Sequence, residues 1–273
     1  MATISPFRAA LPDLSDIISF DDFFGSAKRR FPLYISDGIY TQNERPAFYI
    51  YRIRRPHRSH TGLLACTDVR DYINGMIKCH ENTLAAKEAK MMRLFDERMA
   101  LIKHILLTYI NVLEIDALVN RITTSSSPSF YIPFQDEEHI FWQIDDDLRV
   151  QALIKAFSQH VHQTYICDGH HRAKTSSILY NQYLDHGQLP QDKIEYQHML
   201  VAYFPASEIE IHNYNRVVAT LGNLEAATFL KRLEKYYDIT LTDKYHNPLQ
   251  RYEMGMILGA DWYRLPLKEA MRP

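Results

Sequence analysis

Hydrophobic and polar positions change rhythm several times along the chain. Residues 46–53, PAFYIYRI, and 61–65, TGLLA, are rich in aromatic and aliphatic side chains and predict two strands. The basic stretch RRPHRSH between them predicts a hairpin loop. From Val69 to about Ile110 the spacing turns helical. Ile73, Met76 and Ile77 make a first segment, and Met91, Met92, Leu94, Phe95, Met99, Ile102, Ile105 and Leu106 make a second. The polar stretch KCHENT divides them, and Asn82 or Thr83 is placed to cap the second helix through a side-chain oxygen.

Further along, residues 123–129, TTSSSPS, are rich in turn formers and lead into YIPF and IFWQI, which predict strands. A loop inside one domain accounts for that stretch better than a linker between two. Asp145 to Asp147 open a helix, LRVQALIKAFSQH, ahead of a strand that stops at DGHHR, where another helical pattern begins. A buried strand, HMLVAYFP, then NYNRVV and a helical FLKRLEKYY complete the pattern. Strands and helices alternate without a strict βαβ rhythm, which predicts an α+β fold with a mixed sheet flanked by helices. Neither GxxxxGK[ST] nor GxGxxG occurs, so any phosphate must be held by other means.

At 273 residues the chain can bury a substantial core, and its formal net charge of −2 provides no global basic field for nucleic acid. Any anion site must be local. The sequence lacks an apolar run of the roughly 20 residues a membrane span needs, and its start does not read as a secretory signal, so a cytoplasmic protein is expected. Cys66, Cys79 and Cys167 are widely spaced and form no CxxC pair, which argues against a disulfide scaffold or a zinc site.

Three polar clusters could carry chemistry. A strand ending in Asp168-Gly169 before a helix start turns free backbone amides and the positive end of the helix dipole toward one spot, with no side chain at Gly169 to obstruct an anion. His170, His171 and Arg172 add donors there, Lys174 and Thr175 stand in the next positions, and Asp168 could hold a magnesium ion or orient a histidine. A purely structural role for these histidines, with Arg172 paired to a surface acid, is the competing reading. The second cluster is Lys78, His80, Glu81 and Thr83, where Glu81 is a candidate general base and Lys78 and His80 are candidate phosphate contacts. Leu84 stands where HExxH needs its second histidine, and adjacent His170 and His171 point apart on a helix, so a zinc hydrolase is not expected. The third cluster, Asn213 to Arg216, follows a core strand and could meet a carboxylate or phosphate. The hairpin loop with Arg54, Arg55 and Arg58 has no interleaved aromatic residues and reads as a solvated turn.

Taken in order, these segments resemble a known family. IKCHENTLAAKEAKMMR is similar to its K-R-H-E-x-T-x-x-x-K-E-x-D-R segment, YICDGHHR to its I-A-D-G-H-H-R segment, and MLVAYFPASEIEIHNYNRVV to a segment ending in Y-N-R-V-V. SPFRAALP resembles the usual start of this family, domain-of-unknown-function family 1015, and the likeness covers most of residues 4–235 of the chain. Cys79, Lys90 and Cys167 depart from that pattern.

The resemblance extends to free serine kinases and implies a ParB/sulfiredoxin-like core, in one SerK-like domain over 1–273 with 222–273 as an extension packed on it. It implies phosphorylation of the hydroxyl of free L-serine or a similar small molecule, with magnesium and ATP, ADP or pyrophosphate as donor. Glu81, His170 and Asp168 would be catalytic, and Lys78, His80, Gly169, His171, Arg172, Lys174 and Thr175 would meet the donor. Thr83, Asn215 and Arg216 would meet the substrate, and Asp168 would take the metal. Two rivals come from the same fold: a nucleotide-binding ParB-like regulatory or DNA-associated module, and a reductase using Cys79 or Cys167.

Overall fold

The computed structural model describes residues 2–13, 30–98, 100–184 and 186–272. They form two compact units, Met1–Glu210 and Ile211–Pro273. This division falls ahead of residue 222, where the C-terminal extension was expected to begin. Met99 of the second helical segment lies outside the described residues.

The first unit has eleven strands among the described residues: β1 (Ile4–Ser5), β2 (Ala10–Pro12), β3 (Tyr40–Gln42), β4 (Phe48–Arg54), β5 (Ser59–Asp68), β6 (Ile77–Lys78), β7 (Ile105–Tyr109), β8 (Phe130–Phe134), β9 (Glu137–Ile144), β10 (Thr164–Asp168) and β11 (His198–Pro205). Its helices include α1 (Val69–Ile73), α2 (Ala85–Arg98), α3 (Leu113–Ser125), α4 (Asp147–His160) and α5 (His170–Tyr183). β2 and β3 pair with each other, and the remaining nine strands form one sheet in the order β6-β10-β7-β11-β5-β4-β9-β8, with β1 also on β5. The sheet is mixed: β10 runs parallel to β6 and β11 parallel to β7, whereas β10 and β7 are antiparallel. An α+β fold with helices flanking a mixed sheet is therefore what the sequence forms.

The central strands carry the core. Phe48, Ile50, Leu63, Leu107, Val201 and Tyr203 are buried along with Leu153 and Phe157 of α4. Asp146 caps α4 by accepting from the Arg149 amide at 3.0 Å, as the acidic start of that helix predicts. The predicted β4–β5 hairpin is present, the strands β8 and β9 pair as a second one, and Gln135 in the β8–β9 turn takes a positive φ of 53° that a two-residue turn requires. The basic loop between β4 and β5 is largely neutralised, since Arg54 and Arg55 pair with Glu138 and Glu137 and Arg58 donates to the Ser207 carbonyl.

One expectation is overturned. The helical reading of 69–110 covers two helices, α1 and α2, but also the strands β6 and β7. Ile105 and Leu106 belong to a strand paired on both sides, and their spacing continued the α2 pattern only by coincidence.

In the second unit, β12 (Thr240–Thr242), β13 (Glu253–Leu258) and β14 (Asp261–Pro266) form a small antiparallel sheet, and α6 spans Ala226–Leu233. Glu253 is closed off from water between His246 and Arg264. The Arg264 hydrogen bond outweighs desolvation and, with His246 adding, holds that carboxyl down at about 2.

Candidate functional site

Sheet topology decides what meets at the site. Because β6 and β10 are parallel neighbours and β7 runs the other way, the C-terminal ends of β6 and β10 lie beside the N-terminal end of β7. One sheet end thus collects the segment after Lys78, the turn at Asp168 and the residues that open β7. The β10–β7 register shifts between Ile166 and Asp168, an irregularity of the kind that re-aims side chains at a strand end.

Gly169 makes the turn from β10 into α5 with φ 103° and ψ 24°, and no side chain caps the helix that follows. The first amides of α5 are left for whatever approaches. Arg172 turns back one helical turn to pair with Asp168, and the guanidinium is 15% exposed while the carboxylate is 74% exposed. Among the described residues, the Arg172 Nε is buried and has no acceptor. A buried donor in that state is costly, and a bound anion or water would satisfy it.

The segment from Lys78 to Leu84 closes over this turn. His170 Nδ1 faces Glu81 Oε2 at 3.7 Å, and the His80 and His170 rings meet edge-on with centroids 4.4 Å apart. The His80 amide donates to His170 Nε2 at 3.5 Å, and the Leu84 amide donates to His171 Nε2 at 3.2 Å. Both imidazoles thus use an acceptor nitrogen to hold the 80–84 segment, a tautomer inferred from these partners. With each Nε2 committed to the backbone, the Nδ1–H of each ring is the donor left for another partner.

The remaining expected residues separate. Lys78 and Lys174 line one cleft beside the turn. Thr175 is wholly buried and unpartnered among the described residues, so it faces the interior and offers nothing to a ligand from solvent. Thr83 gives its hydroxyl to Glu88 on the first turn of α2. Asn215 and Arg216 belong to the second unit, where Arg216 lies 5.2 Å over the Tyr214 ring. Among the described residues no group of three or more His, Cys, Asp and Glu side chains is arranged to hold a metal. The donor set fits magnesium only in the mode where one carboxylate, here Asp168, shares the ion with water and phosphate.

His104, just before β7, was missed by the sequence reading. Crowding by surrounding groups, and then the Arg172 guanidinium, hold its imidazole below the usual range, against Asp168, which raises it. The residue itself is exposed to solvent, so the charge of Arg172 is the firmer of the two causes. Its signal was present in Lys103-His104 ahead of an apolar run, but reading that run as helix hid its place at a strand start.

His170 is also held below the ordinary histidine value, first by desolvation and then by His80, while Glu81 and Asp168 oppose the shift. It is 5% exposed, with His80 and the more exposed Glu81 against it. Desolvation lowers His139 in the same way. All three stay neutral in the folded chain at pH values where an unfolded histidine, near about 6.5, takes up a proton. Stability should therefore fall as pH drops from about 7 toward 5.5, because the unfolded state then binds more protons. Urea midpoints across that window test this, and a flat or rising profile toward acid would contradict it.

The thiols follow a different pattern. Burial pushes Cys66 up to about 12, and burial followed by the Asp168 charge raises Cys167. A redox-active thiol needs the opposite shift, so the environment of Cys167 disfavours that thiol as the reactive one.

Fold and site together define an α+β protein whose sheet end carries a strand–glycine–helix turn lined by histidine, arginine and carboxylate. Residues 8–272 match the model of the family described as protein of unknown function, DUF1015, and the chain belongs to that family. No curated protein and no solved structure matches the chain. Among the described residues, no helix is long and apolar enough to cross a membrane.

Proposed function

We propose that this chain is a small-molecule kinase that phosphorylates the hydroxyl of free L-serine or a similar acceptor, on a ParB/sulfiredoxin-like core, with ATP, ADP or pyrophosphate as donor. One observation carries the reading: the Glu81 carboxylate lies 3.7 Å from His170 at the turn where Gly169, Arg172 and the open amides of α5 converge. Phosphoryl transfer to an alcohol needs charge neutralisation on the transferred group and a base for the hydroxyl proton. The turn supports the first need and Glu81 the second.

In the step itself, the acceptor oxygen forms a bond to the terminal phosphorus of the donor while the bond to the bridging oxygen breaks. The hydroxyl proton passes to a Glu81 carboxylate oxygen, and the shortened donor leaves with the bond electrons. His170, neutral and beside Glu81, positions the segment that carries the base. Magnesium held by Asp168 and donor oxygens would neutralise developing charge when bound. Asn215 and Arg216 receive no role in this step.

The deciding experiment incubates the full chain with magnesium, each of ATP, ADP and pyrophosphate, and a panel of free amino acids, with phosphoserine detected directly. Phosphoserine formation is expected. Nucleotide binding with no phosphorylated product from any acceptor would instead favour the regulatory module. Arg172→Ala should weaken the donor about tenfold or more, the cost of one charged contact, and serine much less. Equal loss for both ligands in titration calorimetry would make Arg172 a structural residue.

A further inference from the structure

Beside the turn lies an open cleft of about 440 Å³ between α1, β6 and α5. Tyr72, Ile73 and Ile77 give it an apolar wall, and Lys174, Ser177 and Asn181 form its other side. Residues three and four apart share a helix face, so this second wall is one stripe along α5, about 10 Å from Lys174 to Asn181. Lys78 and Cys79, shortly before Glu81 in the chain, also line it.

Two properties of the cleft point to its occupant. Lys78 and Lys174 line the same space, and neither has an acidic partner among the described residues. Like charges left together without counter-ions favour an anion. The space beyond them is long, part apolar and part amide-lined, and its volume is within the range of sites for cofactor-sized molecules. Inorganic pyrophosphate would satisfy the lysines and leave the Tyr72 wall and Asn181 without a partner. A nucleotide would use every part of it, with its base along the apolar wall, its polar edge toward the exposed Asn181 amide and its phosphates passing Lys78 and Lys174 toward Gly169.

We infer that this cleft seats the nucleoside of a nucleotide phosphate donor, with Lys78 and Lys174 steering its phosphates to the turn and Asn181 meeting the base. The inference rests on the phosphotransfer reading for its use of the word donor, but nucleotide binding can be measured without turnover. Calorimetry on the full chain with magnesium should give ADP an affinity about tenfold or more above that of pyrophosphate, with adenosine competing for the ADP site. Lys174→Ala should weaken both ligands. Asn181→Ala, an exposed change that leaves the core intact, should weaken ADP about fivefold or more and leave pyrophosphate unchanged. Equal affinities for ADP and pyrophosphate, no competition by adenosine, or an Asn181→Ala chain that binds ADP normally would each overturn the nucleoside seat. Phosphoserine made from pyrophosphate alone would then leave the kinase reading standing. Tight, Asn181-dependent ADP binding without phosphoserine would support the seat and remove the kinase.

Discussion

Glu81→Gln is expected to abolish all but a small residue of turnover, a loss of roughly 10²–10⁴, while the fold and donor affinity stay close to normal. A hydroxyl is a poor nucleophile at neutral pH and needs a base within reach as the phosphoryl group arrives. Glu81 has the geometry for that part: its side chain is 62% exposed, so an acceptor can reach it, yet it lies 3.7 Å from the enclosed His170. The substitution keeps size and shape and removes the negative charge and with it the ability to accept a proton. It should leave the amide contacts from His80 to His170 and from Leu84 to His171 in place, because these involve no Glu81 atom. Single-turnover phosphoserine formation measured beside ADP and pyrophosphate titrations separates the two effects. A Glu81→Gln chain with near-normal turnover would remove the base from the mechanism, and one that no longer folds would show the His170 contact to be structural.

Strong local signals made much of this arrangement legible from sequence. The alternating β4–β5 hairpin, the acid-capped α4 and the run from β10 through Asp168-Gly169 into α5 each carry their own punctuation, and tertiary packing agrees with it. The spatial meeting of Glu81 with His170, 89 positions apart in the chain, was expected from chemistry and agrees with the distance found. What stayed hidden depends on strand pairing. β7 is five residues long and follows α2 with a continuing apolar spacing, so nothing local marks it as the strand between β10 and β11. With β7 went His104, whose place beside Arg172 exists only once β7 is set antiparallel to β10. Thr175 was read as a contact from the start of α5, but which face of a helix turns to the core is set by packing, and there its side chain is buried. Lys174 was read as a donor contact, but Ser177 and Asn181 on the same stripe went unread because a polar helix face looks solvated until β6 and α1 are placed opposite it.

Gly169→Ala should damage both stability and anion binding, because the turn requires a residue without a side chain for two separate reasons. Its φ of 103° lies beyond the left-handed region that other residues tolerate, a strain of about 1–3 kcal/mol for alanine. The added Cβ would also stand 2.9 Å from the Arg172 guanidinium and 3.2 Å from the Ile105 Cα. The guanidinium can swing aside, but only by leaving Asp168. The Ile105 backbone is fixed by pairing of β7 with both β10 and β11, so it can give little. Relief by flipping the turn would in turn move the amides at the start of α5 away from the spot they share with Arg172. Urea unfolding should therefore show a loss of about 1–3 kcal/mol, and pyrophosphate titration of the still-folded fraction should show affinity lower by about tenfold or more. A Gly169→Ala chain with unchanged urea midpoint and unchanged pyrophosphate affinity would mean that the turn neither needs its left-handed glycine nor forms the anion's seat.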